Sequence, residues 1–192
     1  MKKKLMTVLA LVLVIALSVA GTYAYLTSQA SVKNTFTVGN VSITMDETDV
    51  DNSTPNADRD VANAYKLIPG TTYTKDPIIH VAANSEKCYL FVKVDNNIAN
   101  AETNEAGKTV ADQLTANGWD LVESQTNIYV YKATVNGGDN VNVFKSFTVS
   151  KDISNEALAN AANGKTITVT AYAVQKDGFD NALAAWNATF GK

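Results

Sequence analysis

Few residues in this 192-residue chain have the type and spacing to do chemistry. The single histidine, His80, lies in the extended run Ile78, Ile79, His80, Val81. A zinc site needs three or four His, Cys or carboxylate ligands, and the sequence holds no HExxH and no His/Cys cluster. A Ser-His-Asp triad could use only His80, and nothing near it resembles a nucleophile elbow. His80 is therefore expected to be an ordinary strand residue. Cys88, the single cysteine, opens a hydrophobic strand, which favours a buried, inert thiol and excludes an intrachain disulfide. Asp49, Asp51 and Ser53 alternate as in a calcium loop, but the glycine and closing glutamate of an EF-hand are missing, so a solvated loop is expected. Gly137 and Gly138 lie between strands and do not open a helix, so they do not make a phosphate cradle. The carboxylates are spread over loops, with no pair spaced for acid/base work. The residues point to no catalytic, cofactor or metal site. The tyrosines read as core and cross-strand packing, with sugar binding as the alternative.

The elements that carry these residues are mostly strands. Cys88, Leu90, Val92 and Val94 share one face of a strand over 88–95 and are expected to be core, while Tyr89, Phe91 and Lys93 share the other. Two aromatics on that second face predict partial cover there as well. Pro69 and Gly70 mark a turn, followed by a strand over 71–81 that Pro77 confines to an edge or a bulge. Strands over 127–135 and 141–149 flank Asn136, Gly137, Gly138, Asp139 and Asn140, which reads as a hairpin. A strand over 166–175 carries Ile167, Val169, Ala171 and Ala173 on one face. Short helices are expected over 110–116, over 156–162 with Ser154 as cap, and over 180–189 with Asp180 as cap. The polar stretches 46–60 and 96–108 are expected to be exposed loops. Short alternating strands without regular helix alternation indicate an all-β protein, an antiparallel jelly-roll-like sandwich with a few short helices.

Before that domain, Lys2, Lys3 and Lys4 precede an uncharged, almost wholly apolar run over 5–20, the pattern of a helical signal peptide. Residues 18–20 (Ser, Val, Ala) and 22–24 (Thr, Tyr, Ala) both satisfy the small-x-small cleavage rule, and a retained anchor is the remaining alternative. Both sites stay open on the residues alone: the signal spans 1–20 or 1–24, and cleavage between Ala24 and Tyr25 corresponds to the second. Loss of the three lysines leaves 13 basic and 19 acidic side chains, a net charge of −6. That balance argues against a nucleic-acid partner, and membrane contact is expected only through the signal segment. From 25 to 38 the even positions Leu26, Ala30, Val32, Phe36 and Val38 are apolar, and after Gly39 and Asn40 the phase flips to Val41, Ile43 and Met45. A one-residue shift turns a strand's side chains to the opposite face. Residues 25–38 thus form an extended segment separate in phase from the domain at 39–192, which begins with a strand over 41–46.

The run from Gly21 to Glu47 resembles the N-terminus of the TasA/camelysin family, with a G-T-aromatic-A stretch and then Thr35, Phe36, Gly39, Val41 and Ile43 in order. Leu67, Ile68, Pro69 and Gly70 followed by Thr74, Lys75 and Asp76 resemble that family's L-x-P-G turn and T-K-D motif. The region 168–186 resembles its last strand and aromatic tail. Residues 96–126 match little. The resemblance implies a jelly-roll-like domain, processing after Ala24 by a SipW-type signal peptidase, and export to the cell surface or biofilm matrix. It also implies fibres in which one subunit's N-terminal segment completes a neighbour's sheet. Camelysins carry a metalloprotease description, which the absence of a zinc motif leaves uncarried here.

A fibre subunit that polymerises with itself or with related matrix subunits is the leading expectation. Its assembling residues are Leu26, Ala30, Val32, Phe36 and Val38, free to leave their own domain or to fold back on it. A monomeric surface binding module is the alternative, and a camelysin-like protease the third.

Overall fold

The computed structural model describes residues 39–191, together with Met6. Apart from Met6, the signal segment 1–24 and the extended segment 25–38 lie outside the described residues. The elements are β1 Ile43–Thr48, β2 Arg59–Asp60, β3 Thr72–Thr74, β4 Ile78–Val81, β5 Cys88–Asn96, a 3-10 turn at Ala99–Ala101, α1 Val110–Ala116, β6 Trp119–Leu121, β7 Ile128–Tyr131, β8 Asn140–Asn142, β9 Ser146–Thr148, α2 Asn155–Ala162, β10 Ile167–Gln175 and α3 Ala182–Phe190. Two antiparallel four-stranded sheets form, in the orders β2-β1-β4-β8 and β10-β5-β7-β6, with β3 and β9 as a separate ribbon. The expected class holds: an all-β antiparallel protein with short helices.

The inner core forms where the period-two strands turn their apolar faces together. Cys88, Leu90, Val92 and Val94 from β5 meet Ile79 and Val81 from β4, and Trp119, Phe144 and Phe147 fill the middle. A fully buried side chain of this size contributes roughly 1.5–3 kcal/mol. The opposite face of β5 is covered by α3. Trp186 packs on Phe91 at 5.0 Å and meets Tyr172 edge-on at 5.6 Å. This explains the aromatics at Tyr89 and Phe91: they belong to a second, smaller core.

Local signals placed the helices within a residue or two. Thr109 caps α1 by accepting from the Asp112 N–H, and Ser154 caps α2 by accepting from the Ala157 N–H. The expected cap Asp180 is displaced by Asn181, whose side chain accepts from the Ala184 N–H. Strand β1 also shifts, from the expected 41–46 to Ile43–Thr48. Its odd phase runs on from Val41, Ile43 and Met45 to Glu47, which points inward and is 4% exposed. The stretch 46–60 is therefore a loop only after Thr48, and it ends in β2, which pairs back on β1. In the stretch 96–108, Glu102 is buried, accepts from Asn96 Nδ2 and the Val110 N–H, and is pushed up in pKa by burial.

One expected strand and one expected hairpin are corrected, and the expected strand 141–149 is two strands, β8 and β9. The stretch 71–81 is two strands: β3 pairs with β9, whereas β4 pairs with β1 and β8. Lys75, Asp76 and Pro77 separate them, because Pro77 brings no N–H and Asp76 is used as a cap on β1. The expected hairpin between 127–135 and 141–149 is absent. Strand β7 joins β5 and β6, β8 joins β4, and β9 joins β3. Residues 136–139 instead cross between the two sheets. The Gly138 N–H donates to Val81 O, and the Val81 N–H donates to Asp139 O. A Cβ at Gly137 would lie 2.7 Å from Ala83 O and 2.8 Å from Ser85 O, so only glycine allows this approach.

The outer face of the first sheet carries a polar stitch. His80 on β4 places Nδ1 2.7 Å from Asn140 Oδ1 on β8 and Nε2 3.0 Å from Asp46 Oδ2 on β1. Two acceptors on one ring favour the doubly protonated imidazolium. Arg59, the only arginine in the chain, pairs with Asp46 and, at 3.2 Å, with Asp76. Asp46 is held below the usual carboxylate range: burial alone would raise it, but the hydrogen bonds from Arg59 and His80 outweigh that.

Two outcomes follow from these contacts. Gly137→Ala should lower the thermal midpoint, at a cost of about 1–3 kcal/mol from forced overlap with backbone carbonyls. The hydrogen bond to Asp46 raises the His80 pKa above its ordinary 6.5. Its stabilisation is then full below that unfolded value and lost as pH rises through the higher folded value. Thermal melts from about pH 6 to 8.5 should show a falling midpoint, and His80→Gln should flatten that slope. An unchanged slope in the variant would refute the assignment.

Candidate functional site

The edges of the two sheets are unequal. Strand β2 has two residues, and β6 and β8 have three each, so these edges offer little to pair with. Strand β10 is an edge nine residues long, and among the described residues no strand occupies its outer side. Natural sheets blunt such edges with lysine, proline or bulges. The β10 sequence ITVTAYAVQ has no charge and no proline, and it pairs with β5 without interruption from Ile167 to Gln175.

The ladder decides which backbone groups are free. Thr166 O accepts from the Asn97 N–H, and the Lys176 N–H donates to Lys87 O. Bonding alternates along an antiparallel pair, so even-numbered residues of β10 spend their backbone groups on β5. The N–H and C=O groups of Ile167, Val169, Ala171, Ala173 and Gln175 point to the open side. The side chains of Ile167, Val169, Ala171 and Ala173 face the inner core yet are only partly buried, as are Val41, Ile43 and Met45 beside them on the β1 side. Strand β1 has its own free stretch here, because β2 covers only Glu47 and Thr48.

A groove of about 450 Å³ opens between these two strands. Met45 and Glu47 of β1 line one wall and residues 165–169 the other, with Phe147 and Ala161 among the lining residues and residues 60–65 along the rim. Glu47 is paired with Lys75, Oε2 to Nζ 2.8 Å, with side-chain exposures of 6% and 13%. Tyr65 donates from its hydroxyl to Thr74 O and packs edge-on against Phe147 at 5.2 Å. Burial, then the nearby Glu47 carboxylate, push its phenol well above the ordinary range.

The residues singled out in the sequence are dispersed by the fold. His80 lies in the outer stitch, as a strand residue. Cys88 is fully buried and burial raises its pKa, so its thiol is shielded. Asp49 and Asp51 accept from the N–H groups of Ser53, Thr54 and Ala64, which makes them loop caps. Ala24, Tyr25, Leu26, Ala30, Val32, Phe36 and Val38 lie outside the described residues. Glu47, Asn63 and Arg59 escaped the sequence reading, and Lys75 entered it only as part of the T-K-D motif, with no role. The odd phase of β1, continued two residues, places Glu47 inward, and the lone arginine was the other available signal.

A scan against family models matches residues 1–175 to the camelysin metallo-endopeptidase family. No curated protein and no solved structure matches the chain. The donor set does not fit the metal that the family description implies. Among the described residues, no three His, Cys, Asp or Glu side chains are placed to hold an ion. The one histidine already has both ring nitrogens engaged, by Asp46 and Asn140. Because that match spans residues 1–175, most of the chain, the chain belongs to the TasA/camelysin family.

Proposed function

We propose that this protein is a structural subunit of a cell-surface or matrix polymer. The processed N-terminal segment, 25–38, of one copy adds as a strand to the open edge of β10 on the next. The observation that carries this reading is the long β10 edge, unpaired on its outer side among the described residues, beside a groove of about 450 Å³. Strand addition supplies backbone hydrogen bonds at about 1 kcal/mol net each. Apolar side chains entering the groove add roughly 1.5–3 kcal/mol each when fully buried. Nine residues of strand span roughly 30 Å, and the 14 residues of 25–38 are long enough to cover them. Leu26, Ala30, Val32, Phe36 and Val38 form the apolar face that would meet Ile167, Val169 and Ala171. Such a head-to-tail contact propagates into a filament when its rotation does not close. Family membership supports a secreted or surface location, and the signal segment supports export through a signal peptidase.

The same groove can also take the chain's own segment, which makes the processed monomer the alternative resting state. Deleting 25–34 should leave a folded monomer that forms no filaments. Ala171→Pro removes one free-edge donor and no bond to β5, so it should slow or abolish polymerisation while circular dichroism stays unchanged. Electron microscopy and size-exclusion chromatography over a concentration range read both outcomes. Normal filaments from the deletion would overturn the reading. We assign the protein no enzymatic role. Casein cleavage that stops on adding a chelator would reverse that assignment.

A further inference from the structure

We propose that Lys75 and Asn63 condense into an intramolecular isopeptide bond, with Glu47 as the proton carrier. One carboxylate holds both reacting groups. Lys75 Nζ lies 2.8 Å from Glu47 Oε2, and Asn63 Nδ2 lies 3.1 Å from Glu47 Oε1. The Val50 N–H donates to Asn63 Oδ1 at 2.7 Å, which polarises the amide carbonyl that would be attacked. Asn63 Nδ2 also donates to Thr48 O at 2.9 Å, which fixes the plane of the amide. The Lys75 and Glu47 side chains are 13% and 6% exposed and sit by the apolar groove wall of Met45 and Phe147. An amine and an amide held on one desolvated carboxylate have most of their approach entropy already removed.

The step balances without a co-reactant. Glu47 takes a proton from the Nζ ammonium, and the free amine attacks Asn63 Cγ. The Nζ–Cγ bond forms, and negative charge gathers on Oδ1, where the Val50 N–H already donates. Glu47 passes its proton to Nδ2, the Cγ–Nδ2 bond breaks, and the departing nitrogen leaves with the second Nζ proton as ammonium. Glu47 ends as the carboxylate it began as. The product ties residues 60–65, along the rim of the groove, to the Thr74, Lys75, Asp76 turn, independently of whether the protein polymerises.

Mass spectrometry of the purified, folded protein tests this. The intact mass should lie about 17 Da, one ammonia, below that of the chain with the observed N-terminus. Trypsin should yield a branched peptide joining 60–66 to 67–87, because an acylated Lys75 is not cut. Succinimide formation at Asn117, Asn136 or Asn163, each followed by glycine, gives the same mass loss but no branch. Lys75→Arg and Glu47→Gln, checked for fold by circular dichroism, should each lack the branched peptide. Separate peptides 60–66 and 67–75 from the parent protein would overturn the proposal, and that result needs no variant to fold. Branching that persists in Glu47→Gln would overturn the role given to Glu47.

Discussion

Strands β5 and β10 run side by side through nine consecutive residue pairs, and the rest of the domain is arranged around that ladder. Strand β5 has both faces buried, so each face needs a partner layer. The inner face receives the first sheet and the segment around Phe144 and Phe147, and the outer face receives α3 through Trp186. Among the described residues, pairing on one side of β10 leaves its other side open. The same long ladder that anchors the core therefore creates the one extended edge among the described strands.

The end of β1 shows how a strand is held when its sheet neighbour is only two residues long. Asp46 and Glu47 are adjacent and point to opposite faces, as strand geometry requires. Asp46 meets Arg59 and His80 on the outer face, and Glu47 meets Lys75 and Asn63 inside. The Thr74, Lys75, Asp76 motif serves both faces: Lys75 goes inward to Glu47, and Asp76 caps Thr48 outside through its backbone and hydroxyl. A motif noticed first as a family resemblance thus has a physical meaning. It binds the last turn of sequence before β4 to the end of β1, beside the groove.

Much of the fold was legible in the chain. The β5 alternation named its core residues, and the paired aromatics on its other face announced a cover. The cap at Ser154 marked a helix because capping is a contact between residues two or three apart. The errors have one source. Asn136 to Asn140 has the composition of a hairpin turn, but composition cannot say whether the next strand returns to the same sheet. Gly137 fits against the carbonyls of 82–85, a contact some fifty residues distant in sequence, and that contact carries the chain across to the other sheet. The 71–81 stretch was read whole for the same reason: its two halves choose different partners, β9 and β1.

The sequence by itself determined the strand phases of β5 and β10, the helix cap at Ser154 and the class of fold. Each of these depends on residues within a few positions of one another, where periodicity and backbone chemistry act directly. Only the tertiary structure decided that β10 is an edge among the described strands, that a groove opens between it and β1, and that Glu47, Asn63 and Lys75 meet. Those depend on which strands pair, and pairing is settled by burial summed over the whole core. No local pattern carries that sum, so the open edge could be read only after every other strand had taken its place.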